Sequence, residues 1–424
     1  MKVVGAGEFA RATAVMRGGW RVPDNVTASV ASILAAVRER GDAALVEYER
    51  RYDDERYDIS KLRVAIPMAS SARSLVAAAV ADALDRLRER VARYHERQRR
   101  ADLSYAEADG TKYGLCFRPL DAVAVYAPSA SAALMGVVPA KLAGVGRTLV
   151  LAPPQPGGHV HPAVLYACAV CEVDELYALG GAQAIAAAAF GTDSIEPVDK
   201  VVGPGGMWVT EAKRQIFGRC GVEALAGPPE LLIVADDGAS SELIVGEMLS
   251  VAELDARACV AIVSESRSLL DAVAQLIDTL GVGTLAGAER IAEVLGRNAH
   301  LVHARKRGDV FETIERFAPG YLCLHVRDPD AYLPRIRRAG AVFVGNATPL
   351  ACGTYLAGTN GVVPTAGTAR FSSALSLGDF MRSFTVVENS AERTAADAGA
   401  IALLAELEGR PQHALAVRMR SGEA

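Results

Sequence analysis

The chain has 424 residues, 51% hydrophobic and 22% charged, with a formal net charge of −5. That composition excludes a disordered protein, and arginine and glutamate are interspersed with no basic stripe, which excludes a nucleic-acid-binding surface. The length exceeds what one compact core holds, so at least two domains are expected. No run reaches the roughly 18 apolar residues of a membrane span. The N-terminus lacks the apolar core of a signal peptide, and the seven cysteines are scattered, so a cytoplasmic location is expected.

Residues 1–20 read as an N-terminal arm. "TASVASILAAVRERGDAALVEYERRYD", from Thr27, is a helical hairpin punctuated by Gly41, and "SLVAAAVADALDRLRERVARYHERQRRA" is a long charged amphipathic helix. The character changes at "DAVAVYAP", a strand. The helix "GVVPAKLAGVG" follows, then the strand "RTLVLAPP", the helix "HPAVLYACAVCEV", the strand "ELYALGG", the helix "AQAIAAAAFG", the strand "VDKVVGPGG" and the helix "WVTEAKRQIFG". Short apolar runs alternating with helices at this spacing predict a parallel α/β sheet. Within it, Cys168 and Cys171 form a lone CxxC in an Ala-rich helix, which reads as core rather than as a redox or metal pair. Trp208, beside a glycine turn, reads as core packing.

A second α/β block runs through "LLIVAD", "CVAIVSES", "HLVHA", "YLCLHV" and "AVFVG", so the sheet is built twice. Between its first two strands, "EMLSVAELDARA" (247–258) reads as a helix that places Val251 and Leu254 on one face. The last fifty or so residues read as helices. The predicted organisation is an arm (1–20), a first α/β domain (21–122 with 231–374), a second Rossmann-like domain (123–230) and a C-terminal helical segment (375–424). Gly180-Gly181 and "GPGG" (203–206) lie where parallel strands end, which is where ligands bind in open α/β sheets. No GxGxxG fingerprint accompanies them.

From "GGAQAIAAAAFGTDSIEPVDKVVGPGGMWVTEAKRQIFG" onward, through "LAGPPELLIVADDGA", "GTYLAGTNGVVPTAGTARFSSALSLGDF" and "EGRPQHALAV", the chain resembles the histidinol dehydrogenase family. The resemblance implies two Rossmann-like parallel-sheet domains with small helical N- and C-terminal segments. It also implies an intertwined homodimer in which the C-terminal segment enters the partner's site. The family oxidises an amino alcohol in NAD-dependent steps, with zinc holding the substrate and a Glu–His pair moving protons.

The resemblance also exposes departures. Where the family has its zinc-binding Gln and His, this chain has Val251 and Leu254; where it has a ligating Asp, Thr354; His413 matches the remaining ligand. The Glu–His pair is Gly320 and Tyr321, a substrate-contacting His is Gly361, and a substrate-contacting Ser is Pro229. Glu408 matches the acid that recognises the substrate amine. Tyr126 and Gln183 match cofactor contacts, a third contact is Gly206, and the loop after Tyr126 is shortened. These substitutions predict no metal site and a more apolar pocket lined by Val251, Leu254, Gly320, Thr354, Gly361 and Glu408, with His413, Tyr321 and Glu408 as the candidate catalytic groups. Two functions are expected. One is a diverged, zinc-independent NAD(P)-linked oxidoreductase acting on a small substrate other than histidinol. The other is a non-redox or catalytically silent protein that binds a small molecule or protein partner.

Overall fold

In the computed structural model, residues 3–19 and 22–421 are described. Their internal packing divides them into two units, one built from residues up to 98 and 120–380, the other from 99–119 and 381 onward.

The first unit holds two sheets. The five-stranded sheet runs, edge to edge, Glu175–Ala178, Arg147–Ala152, Ala122–Tyr126, Lys200–Val202 and Gly221–Val222, all parallel. The six-stranded sheet runs Val3–Gly5, Ala299–His303, Cys259–Ser264, Glu230–Ala235, Tyr321–His325 and Ala341–Val344, also all parallel. With Val3–Gly5 set aside, both sheets have the chain order 3-2-1-4-5. Each therefore reverses direction between its first and fourth strands. Central strands such as "AVAVY" and "ELLIVA" are buried at every residue. Apolar runs of this kind suit parallel strands covered by helices on both faces. One face of the six-stranded sheet packs Ile244, Met248, Val251 and Val273, the other Phe9, Phe311, Ile314 and Phe317.

Three expectations need correction. The hairpin helices Asp24–Arg40 and Asp42–Tyr52, expected with the 231–374 domain, belong to the core of the five-stranded sheet. Their apolar stripe, Val26, Val30, Ile33, Leu34 and Val37 continued by Leu45, packs with Leu149, Ile185 and Ala189. The arm is no separate segment, because Val3–Gly5 adds a strand to the six-stranded sheet and Phe9 joins its core. The C-terminal region is not all helical. Met381–Glu388 is a strand of the second unit, antiparallel to Lys112–Pro119, which in turn pairs with Leu103–Ala106. Its signal, "FTVV", is a β-branched run whose side chains are mostly exposed, so it carries no burial pattern to read. The helices Ala391–Leu407 and Pro411–Ser421 pack on each other through Ala398, Ala402, Ala414 and Val417. No helix among the described residues is long and apolar enough to cross a membrane.

Candidate active site

A cleft of about 460 Å³ opens in the first unit. It lies at the carboxyl ends of Ala122–Tyr126 and Lys200–Val202, the strands between which the five-stranded sheet reverses, and ligands bind at such a point in open α/β folds. Pro128 and the turn Gly203–Gly206 form that wall, with Lys213 and Glu223 behind it; Pro229, Leu254, Asp255, Tyr321, Gly361 and Thr365 form the opposite one. The opposite wall is the amino end of the six-stranded sheet, where Glu230–Ala235 and Tyr321–His325 begin.

The glycine turn packs its backbone closely against the neighbouring strand end. Gly203 has φ +114°, and a Cβ there would stand 2.2 Å from the carbonyl oxygen of Tyr126. The turn is braced by a buried ion pair that the sequence reading passed over. The Lys213 ammonium lies 2.8 Å from Glu223 Oε1, with the two side chains 4% and 5% exposed. The signal was present: on the helix Met207–Ile216, Lys213 lies one turn after buried Val209, a place where a lone charge demands a partner.

The structure brings Gly206, Leu254, Tyr321 and Gly361 to the cleft, together with Pro229. Burial of the Tyr321 phenol pushes its pKa up to about 12, so it is a neutral hydroxyl, and it donates a long bond of 3.4 Å to the Gly361 carbonyl. Asp255 is pushed up by burial, but its hydrogen bonds from Arg257 (2.8 Å) outweigh this and hold it below its ordinary value, as a charged acceptor. Trp208, read as core, is 39% exposed.

Other expected site residues lie elsewhere. The helix Ser241–Ala252 ends before Leu254, so Val251 and Leu254 do not share a face. Val251 is wholly buried in the core, whereas Leu254 is 52% exposed in the following turn, where Asp255 accepts the Arg257 N–H. Gly320 opens no space: a Cβ there would meet Thr365 Cγ2 at 2.9 Å and the Pro364 carbonyl at 3.0 Å. Thr354 ends the short helix Ala351–Thr354 beside Gly361, behind the cleft wall.

Tyr126 and Gln183 are both buried and engaged by the protein. The Tyr126 hydroxyl accepts from the Gly181 N–H at 3.3 Å, and the Gln183 amide donates to Glu49. Glu49 also accepts the Gly180 N–H at 3.0 Å, and burial raises its pKa to about 8. Glu408 and His413 belong to the second unit, where both are exposed. In the lone CxxC, burial pushes both thiols up, Cys171 to about 12, which disfavours the thiolate.

The positions that the resemblance assigns to zinc do not fit a metal. Val251 and Leu254 present hydrocarbon, and Thr354 offers only a hydroxyl, where zinc takes nitrogen, sulfur or carboxylate ligands. The crevice itself lies at the sheet reversal and is walled on one side by the backbone of Gly203–Gly206.

Residues 20–421 match the family model for histidinol dehydrogenase. The chain is 41% identical over 421 residues to a histidinol dehydrogenase of Rhodospirillum rubrum, covering 97% of this chain and 96% of that one. It is 39% identical to that of Pseudomonas aeruginosa, covering 94% and 91%. The crystal structure of histidinol dehydrogenase from Elizabethkingia anophelis superposes with a TM-score of 0.87 at 27% identity, covering 94% and 92%. These likenesses overturn the expectation of a protein set apart from that enzyme, whether a diverged oxidoreductase on another substrate or a silent relative. Relatives about 40% identical from end to end carry the enzyme's name, and changes confined to a few positions do not outweigh that. The chain belongs to the histidinol dehydrogenase family.

Proposed function

We propose that the chain is a histidinol dehydrogenase that oxidises the alcohol of its substrate with a nicotinamide nucleotide bound in the cleft. The observation that carries this reading is the 41% identity over 97% of the chain to an enzyme of that name. The position of the cleft at a sheet reversal supports the nucleotide part. The bound nucleotide supplies a hydride acceptor; everything else falls to the chain. The turn Gly203–Gly206 gives the nucleotide close backbone approach. Tyr321, neutral at working pH, donates a hydrogen bond to a substrate oxygen. Asp255, held ionised by Arg257, receives a cationic group of the substrate. No step is derived through a metal. In this reading Glu408 and His413, exposed on the C-terminal helices, complete the cleft of a second copy of the chain, where the His413 imidazole takes the hydroxyl proton as the hydride leaves.

The test is direct. Purified protein with histidinol and NAD⁺ is expected to form NADH at about 1 s⁻¹ or faster. Specific activity is expected to fall on dilution if a second copy completes the site. Failure to form NADH at millimolar histidinol and NAD⁺ overturns the reading.

A further inference from the structure

We propose that Lys213 and Glu223 are positioning residues: as a buried ion pair they hold the peptide at Gly203 and so set the shape of the turn 203–206 against which the nucleotide lies. The inference rests on the dehydrogenase reading for the identity of that nucleotide, and on the structure alone for the brace.

The pair takes both polar groups of one residue. Glu223 Oε1 accepts the Gly203 N–H at 2.9 Å, and the Lys213 ammonium donates to the Gly203 carbonyl while lying 2.8 Å from the same carboxylate oxygen. Gly203 is the first residue past Lys200–Val202, at the reversal of the sheet, and its close approach to Tyr126 admits no side chain. The turn that follows, Gly-Pro-Gly-Gly, has almost no side chains with which to fix itself, and glycine backbone is intrinsically loose. At its far end the Gly206 carbonyl accepts the Thr210 N–H of the following helix, and at its near end these two side chains grip the Gly203 peptide.

A stabilising role alone explains the pair poorly. A buried ion pair loses hydration on both partners, and apolar residues of similar volume are often as stable or more so. Such a pair makes sense where one backbone geometry must be selected over its neighbours.

The test uses full-length protein with Trp20→Phe, leaving Trp208, at the start of the helix that carries Lys213, as the fluorescent reporter. Lys213→Met and Glu223→Gln are each expected to raise KM for NAD⁺ about tenfold with kcat within about twofold. Lys213→Arg, which keeps charge and donors, is expected to stay within about threefold of the parent. The deciding variant is Lys213→Met with Glu223→Leu, which removes the charge pair but fills its space. It is expected to recover the parent melting temperature yet keep the raised KM, a shifted Trp208 emission and faster amide exchange at Gly203, Gly205 and Gly206. Parent-like KM, emission and exchange in this double variant overturn the proposal, because the pair would then serve stability only. If the parent shows no turnover, the dehydrogenase reading fails by itself, and emission and exchange still decide whether the brace exists.

Discussion

Gln183 donates its side-chain amide to Glu49 across 2.9 Å, and neither residue meets solvent, being 2% and 0% exposed. The same carboxylate oxygen takes the Gly180 N–H, so two elements 131 residues apart in sequence close over one turn. The carboxyl also faces that of Asp53, whose negative charge adds to burial in favouring the protonated form of Glu49.

That burial gives Glu49 a pKa of about 8 against an ordinary 4.5. The native state therefore holds a proton that the unfolded chain has already released across this window. Stability is highest below pH 4.5, as far as this group is concerned, and is lost as pH rises toward 8. Glu49→Gln keeps an acceptor for Gly180 and Gln183 while removing the titration. Urea unfolding at pH 6 and pH 9 is expected to show the parent losing about 1–3 kcal/mol more than the variant over that interval. Equal losses in the two proteins contradict this account.

Val251 and Leu254, which the resemblance matches to metal ligands, are expected to separate by stability. Val251 fills core space, so Val251→Ala is expected to cost about 1–3 kcal/mol. Leu254 stands at the cleft, half in solvent, and Leu254→Ala is expected to stay within about 0.5 kcal/mol of the parent. Parallel denaturation curves settle the matter; similar costs at both positions would place both in one environment and refute the description.

Arg17 reaches buried Glu230 at 2.6 Å, and the same carboxylate accepts the Gly367 N–H at 3.0 Å. Removing the guanidinium leaves a buried carboxylate with its positive partner gone. Arg17→Met is expected to destabilise by about 3–5 kcal/mol, and adding Glu230→Gln is expected to restore part of the loss. Additive losses in the double-mutant cycle would show that the two groups do not interact.

Tyr321→Phe deletes the one neutral hydroxyl at the start of Tyr321–His325 without changing the ring packed near Phe343. With histidinol as substrate, kcat/KM is expected to fall by about tenfold, the value of one lost neutral hydrogen bond. Steady-state kinetics that match the parent remove Tyr321 from the reaction.

The fold was legible where burial leaves a one-dimensional trace. "AVAVY", "LLIVA" and "CVAIVS" are continuous apolar runs because helices cover both faces of parallel strands, and their βαβ spacing follows from that. The end of the helix at Ala252 was not legible. No glycine or proline marks it; the helix stops where Asp255 turns back to bond the Arg257 N–H, and Leu254 continues the apolar spacing beyond the stop. The site was half legible for a similar reason. Gly206, Tyr321 and Gly361 stand in quotable motifs, whereas Lys213 with Glu223 and Glu49 with Gln183 meet only through the tertiary fold, as do the hairpin helices and the sheet that they cover.

The strand Val3–Gly5 finds its mate in Ala299–His303, and the helix after it packs on Arg307–Phe317. The entire five-stranded sheet is threaded between them. During synthesis this segment therefore waits, apolar Phe9 included, for roughly 15–60 s of elongation before the matching residues leave the ribosome. Synthesis that halts before His303 leaves that strand without its mate and Phe9 without the Phe317 ring that covers it.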